Sequence, residues 1–143
     1  MPLMSLSASI MSVSPSAFQS NMRKYDGVMP ILKLTESDAI PEEYFLAPEK
    51  LIEGNPKQTV WMHYTDACKK FMSGIWCSAV GKWRVIYTEE EYCNILEGTS
   101  IITDNLGIAV TVTKGEHFVI PRGFVGTWEV VTPTKKIFVI YEP

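Results

Sequence analysis

Between Gly81 and Trp128 the chain carries glycines and a proline at spacings that suit short strands joined by tight turns. Gly98 follows Glu91 by seven residues, and Gly115, Pro121 and Gly123 follow in the order glycine, five residues, proline, one residue, glycine. Glycine accepts the positive φ of tight turns, and proline withholds the N–H that a central strand needs. The segments between these markers are rich in β-branched and aromatic residues. Thr59–Tyr64, Phe71–Val80, Trp83–Thr88, Tyr92–Leu96, Ser100–Thr103, Ile108–Thr113, His117–Ile120, Gly126–Val131 and Lys136–Tyr141 read as strands. Asp104-Asn-Leu-Gly107 reads as a hairpin turn, and Ile108–Thr113 alternates as a half-buried strand does. Short strands at this spacing predict an all-β sandwich or barrel.

The remainder bounds the problem more loosely. Residues 1–25 are rich in Ser and Met, are broken by Pro2 and Pro15, and read as a mobile or edge-covering arm. Residues 26–143 are of a size for one domain. Pro30, Pro41, Pro48 and Pro56 punctuate its first part, where a helical turn is expected to start after Thr35 or Ser37. A net charge of −3 disfavours nucleic acid as a partner, because counterion release needs clustered Lys and Arg. The short basic pairs Lys69-Lys70 and Lys135-Lys136 read as solvated. No stretch is long and apolar enough for a membrane helix, and the first residues lack the basic start of a secretory leader. Cys68, Cys77 and Cys93 cannot all pair within one chain and show no CxxC spacing, so free thiols and a cytoplasmic setting are expected.

The spaced glycines and proline also carry a resemblance. Glu91 with Gly98 matches the end of the first cupin motif. Gly115, Pro121 and Gly123 match the opening of the second, with Thr99–Lys114 as a hairpin of the expected length between them. Residues 76–141 therefore resemble a cupin core, which implies an RmlC-like double-stranded β-helix, a jelly-roll barrel. Gly81-Lys-Trp-Arg and Gly123-Phe-Val-Gly-Thr-Trp128 resemble a small single-domain branch related to the cupin domain of ureidoglycine aminohydrolase, a manganese enzyme of purine catabolism built as a longer two-cupin chain. Metal-binding cupins place two histidines shortly before the motif glutamate and a third three residues after the last glycine. Those places hold Val85 and Tyr87 (Arg84 and Ile86 in the alternative spacing) and Gly126 here, so only Glu91 of that ligand set remains. One carboxylate does not hold a transition metal against water, and neither metal nor cofactor is expected.

Strand alternation puts Val85, Tyr87, Glu91, Cys93 and Ile95 on one face, opposed by Gly126, Trp128 and Val130. Two readings of that interior stand side by side. In one, Tyr87, Glu91, Cys93 and Trp128 form an aromatic cup with a carboxylate at its floor, and Arg84 or Arg122 meets the ligand at the entrance. In the other, large side chains fill the barrel and Glu91 pairs with a hydroxyl or a basic group. Glu91 is the candidate general acid or base, although the run Glu89–Glu91 equally suits a solvated rim. Cys93 reads as a small buried residue, Arg122 as an exposed turn residue, and His63 and His117 as isolated. The expected function is a small-molecule-binding barrel without a metal site. The alternatives are a metal-independent enzyme acting on a small amide or ureide, and a metal enzyme recruiting His63 or His117. Sheet edges left by a barrel of this size, which the arm could cover, lead to the expectation of a homodimer.

Overall fold

The computed structural model describes residues 29–36 and 38–143. The arm of residues 1–25 and the Ser37 cap lie outside the described residues. Nine strands run in chain order: β1 (Glu42–Tyr44), β2 (Leu51–Glu53), β3 (Gln58–Thr65), β4 (Phe71–Ser78), β5 (Gly81–Ile86), β6 (Glu90–Asp104), β7 (Ala109–Thr113), β8 (His117–Ile120) and β9 (Val125–Tyr141). The only described helical turns are 3-10, at Leu34–Glu36 and Pro48–Lys50. The first includes Thr35 within the turn and so begins two residues earlier than a cap at Thr35 implies.

All strand pairs are antiparallel, and two long strands organise them. The first halves of β6 and the last halves of β9 join one layer, in the order β1-β3-β4-β9-β6-β8. Their other halves join a second layer, β2-β5-β9-β6-β7. The layers face each other across a core in which Trp76 of β4 meets Trp83 of β5 and Trp128 of β9 edge-on, with ring centroids 6.2 and 5.5 Å apart. This is the all-β barrel that the spaced turns imply.

The sequence pattern divides β6 and β9 into two strands each, and the fold joins them. Glu97-Gly98 and Thr132-Pro133 lie opposite each other, and the pairing register shifts between Ile95 and Ser100. Bulges of this kind bend a strand and sharpen its twist without ending it. The residues that look like chain breaks therefore form the corner at which the β6–β9 ribbon passes from one layer to the other. Gly98 has φ of +86°, and a Cβ there would collide with the Pro133 carbonyl. Two short strands, β1 and β2, went unrecognised because three residues are too few to show a period. The hairpin turn forms as read: the Asp104 carboxylate accepts from the backbone N–H groups of Leu106 and Ile108, both at 2.9 Å.

Gly98→Ala is expected to destabilise the fold by about 2–4 kcal/mol, since it combines a left-handed backbone with a backbone collision. Gly107→Ala, at a turn where φ is +90° but no atom lies within 4 Å of the added carbon, should cost about 1 kcal/mol. Urea unfolding of the two variants measures the difference.

Candidate functional site

The inner side of the barrel is set by alternation from both long strands. On β6, Glu91, Cys93 and Ile95 are buried while Glu90 and Tyr92 are exposed. On β9 the inward phase begins at Trp128 and Val130 and returns past the corner at Thr134, Lys136, Phe138 and Ile140. Tyr87, just past the end of β5, reaches the same space. These residues bring together a charged group with no solvent exposure at all: Lys136 and Glu91 are each 0% exposed and paired at 2.9 Å.

The ammonium and Glu91 Oε1 are supplied with several partners. The Tyr87 hydroxyl and the Cys93 thiol each donate to Glu91 Oε1, both at 3.1 Å, and Lys136 Nζ also reaches Cys93 Sγ at 3.5 Å. The Lys136 ammonium lies 4.3 Å from the ring centroid of Trp128 and 4.8 Å from that of Trp76. Cation–π attraction is strongest where water is excluded, as it is here. The indoles are themselves held in place. Trp76 Nε1 donates to Gln58 Oε1 at 2.7 Å, and Trp128 Nε1 donates to Ser100 Oγ at 3.1 Å, which in turn meets Thr134 Oγ1 at 2.8 Å. Glu91 Oε2 and the Tyr44 hydroxyl are buried without a hydrogen-bond partner.

Burial and charge act in one direction on the acids of this group. Burial, with the Glu91 charge adding to it, pushes the Cys93 thiol and the Tyr87 phenol well above their ordinary ranges. The Tyr44 phenol is likewise raised by burial, which outweighs a lowering contribution from Trp76, with the Glu91 charge adding a smaller rise. Burial alone would lower Lys136, but its neighbours Cys93 and Glu91 outweigh it and hold the ammonium protonated above the ordinary 10.5. The cluster is thus a neutral thiol, neutral phenols and one ion pair. None of these is a ready nucleophile, because nucleophilic attack needs a thiolate or a free amine.

Of the residues singled out in the sequence, Tyr87, Glu91, Cys93 and Trp128 converge on this space. Arg84 and Arg122 do not. Arg84 alternates with buried Trp83 and Val85 and so is exposed on the outer side of β5, and Arg122 is exposed in its turn. The acidic run is not a solvated rim: Glu89 and Glu91 are fully buried and only Glu90 is exposed. The sequence does not single out Lys136, because beside Lys135 it reads as one of a solvated pair. Lys135 does face outward, 5.8 Å from the Trp61 ring centroid. The signal for Lys136 is in the numbering: Trp128 and Val130 before the corner, and Thr134, Lys136, Phe138 and Ile140 after it, share one phase that lapses only at exposed Thr132, provided Pro133 is a bend and not an end. His117 is exposed beside Tyr92, whose hydroxyl meets its Nδ1 at 3.1 Å, and His63 is half-buried on β3.

An apolar cleft of about 240 Å³ lies nearby, lined by Ile102, Val112, Phe118, Ile120 and Phe124, with Asp104 at its side. Phe118 contacts Trp128 and Phe124 contacts Tyr87, with centroids 6.4 and 6.1 Å apart, so the cleft wall is continuous with the shell of the ion pair.

Comparison with known proteins agrees with this architecture. The EutQ-like cupin domain family matches residues 65–138, half of the chain. The chain belongs to that family. No curated protein matches it. A DUF861 family protein from Thermotoga maritima is 31% identical over 45% of this chain and 73% of its own, with a TM-score of 0.44. The EutQ protein of Clostridium difficile is 19% identical, covering 59% of this chain and 64% of that one, with a TM-score of 0.51. A DUF861 protein of unknown function from Pseudomonas syringae pv. tomato is 19% identical over 76% of this chain, with a TM-score of 0.63, and only 46% of its own length is spanned. The last two likenesses are of fold alone.

In this cupin the places of the metal ligands do not fit a metal. Val85 is apolar and buried, and the Tyr87 phenol is held neutral. A side chain at Gly126 would collide with the Thr103 carbonyl of the neighbouring strand, so no histidine is accommodated there in this register. The remaining ligand, Glu91, is bound to an internal ammonium. Among the described residues no three His, Cys, Asp or Glu side chains converge as a metal centre requires, and no described helix is long and apolar enough to cross a membrane.

Lys136→Met is expected to cost about 3–5 kcal/mol, because it strands the Glu91 carboxylate in the core. The double variant Glu91→Leu with Lys136→Met should be more stable than Lys136→Met alone, and urea denaturation midpoints of the set check both statements. Alkali should also unfold this protein steeply. The raised folded values of Cys93, Tyr44 and Tyr87 mean that the unfolded chain releases protons first, from about its ordinary 9.0 for the thiol and 10.0 for the phenols. Lys136 adds a loss of the same sign above 10.5, where the unfolded amine deprotonates before the folded one. Stability should therefore be flat below pH 9 with respect to these groups and fall above it. Cys93→Ala should delay the onset in a pH series of thermal melts.

Proposed function

We propose that this chain is a metal-independent, small-molecule-binding cupin that holds its ligand without transforming it. The observation that carries the reading is the state of Glu91. Its Oε1 accepts three donors, from Tyr87, Cys93 and Lys136, while Oε2 is buried with no hydrogen-bond partner. A buried acceptor left unmade costs about 1–3 kcal/mol, which a ligand N–H recovers. The buried Tyr44 hydroxyl, which makes no hydrogen bond of good geometry, offers a second polar group. The apolar cleft is separated from this group by Phe118, which packs on Trp128, and Phe124, which packs on Tyr87, and movement of these two rings would supply an approach.

The chemistry of that acceptor favours a small planar donor, an amide or a ureide. The resemblance to the cupin domain of ureidoglycine aminohydrolase supports the same class. A binding role is favoured over catalysis because the thiol and the phenols of the cluster are held neutral and the amine is held protonated. The free thiols Cys68, Cys77 and Cys93 support a reducing, cytoplasmic setting.

A thermal-shift screen with urea, small amides and small amines tests the reading on wild type, Glu91→Gln and Tyr44→Phe. Wild type should be stabilised by at least one amide or ureide, with affinity falling by about 10- to 100-fold in Glu91→Gln as a charge-assisted contact is lost. Tyr44→Phe leaves the ion pair intact and should weaken the same ligand. Equal shifts in all three proteins, or none in wild type, would sink it.

A further inference from the structure

The two layers end at β7 and β8, and each of these strands pairs with β6 alone among the described residues. On β7 and the residue before it, Ile108, Val110 and Val112 share the side that faces the core. Only Val112 is buried, whereas Ile108 and Val110 are 63% and 55% exposed. With Ile102, Phe118 and Phe124 they line the apolar cleft of about 240 Å³. The backbone of β7 is open as well. The Asp104 N–H donates to the Ile108 carbonyl at 3.0 Å, and alternation along the ladder then turns the N–H and C=O groups of Ala109 and Thr111 away from β6. Thr113, next in that series, gives its N–H to Glu116 Oε1 at 3.0 Å, while Ala109 and Thr111 face no described strand. Native edges are blunted by charge, proline or a bulge. β1 carries Glu42 and Glu43, β2 carries Glu53, and β8 runs into Pro121, but Ile108–Thr113 holds neither charge nor proline.

We propose that the free edge of β7 is a site for an added strand, and that its occupant is residues 4–10 of the same chain. These residues precede Met29, the first that the structure describes, and their sequence is the complement of the edge. Met4, Leu6, Ala8 and Ile10 alternate with Ser5, Ser7 and Ser9, and Leu3 to Ser14 contains no charge, proline or glycine. A period of two with an apolar and a hydroxyl side is that of a half-buried strand. Added beside β7, such a strand pairs with the N–H and C=O groups of Ala109 and Thr111. It sets its apolar side chains against Ile108 and Val110 and its serines level with Thr111 and Thr113 on the outer side. The cleft has room for them. An apolar cavity of about 150 Å³ takes a benzene-sized group, so one of 240 Å³ takes about two aliphatic side chains. Neither partner carries a charge, so the pairing desolvates none. The reach suffices too: residues 11–28, fully extended, span up to about 60 Å, and a domain of this size is about 35 Å across. Phe118 and Phe124 separate the cleft from the ion pair, so the pairing needs no ligand at Glu91 and is tested without one.

Hydrogen exchange of the full chain, read by mass spectrometry on peptides covering residues 3–12 and 108–113, is the test. Peptides from β3 and β4 report that each variant is folded. In the wild type both test peptides should exchange slowly. Leu6→Asp with Ile10→Asp puts two charges on the apolar side and should speed exchange in both by about tenfold or more. Ser7→Asp, on the hydroxyl side, should leave both slow. Val110→Asp, at a side chain already more than half exposed, should release residues 3–12 from the other side of the pairing. Residues 3–12 exchanging at the rate of an unstructured peptide in the wild type would overturn the proposal. So would a double variant no faster than Ser7→Asp, or a folded Val110→Asp that leaves residues 3–12 slow. Protection that falls on dilution assigns the edge to another copy and overturns it as well.

Discussion

The rest of the barrel is arranged around the buried contact between Lys136 and Glu91. Two charges removed from water cost several kcal/mol each, and their attraction compensates only if the remaining donors and acceptors are also engaged. Here the compensation is distributed. Tyr87 and Cys93 donate to the carboxylate, and two indole faces receive the ammonium. The indoles face it because Gln58, Ser100 and Thr134 hold their N–H groups at the far side. Polar residues on β3, β6 and β9 that would be out of place in an apolar core thus serve one electrostatic centre.

The corner in the β6–β9 ribbon makes that centre possible. Glu91 and Lys136 belong to the halves of the ribbon in one layer, and Trp128 to a half in the other. Had either strand run flat, Trp128 would lie far from both. The bend at Gly98 and Pro133 folds the ribbon so that one continuous strand contributes the ammonium and one of the rings that bind it. Stability and site geometry are therefore coupled through a glycine that lies in neither.

The chain keeps the glutamate of the cupin motif and changes what neutralises it. In place of imidazoles around a metal ion, an internal lysine supplies the positive charge, and Gly126 closes the remaining position because the neighbouring strand passes too near for a side chain. A fold can persist through such a change, since its turns and layer contacts depend on glycine spacing and core volume more than on the chemistry inside.

The sequence by itself determined which segments from Gln58 onward are extended, the hairpin at Asp104–Gly107 and the inward set Tyr87, Glu91, Cys93 and Trp128. Spaced turn residues and a period of two are local properties that need no knowledge of distant partners. It left open whether the interior was a cup or was filled, because either outcome suits the same alternation. Only the tertiary structure decided that Glu97-Gly98 and Thr132-Pro133 are a bend, since a bulge and a chain break share the same residues until their partners across the ladder are known. That decision carried the phase of β9 through Pro133, turned Lys136 inward and Lys135 outward, and so chose the partner of Glu91. It also put Arg84 on the outer side of β5 and left Arg122 exposed in its turn. A charge is buried or solvated according to what the fold brings against it, and for Lys136 those groups come from residues as far away in the chain as Trp76 and Glu91.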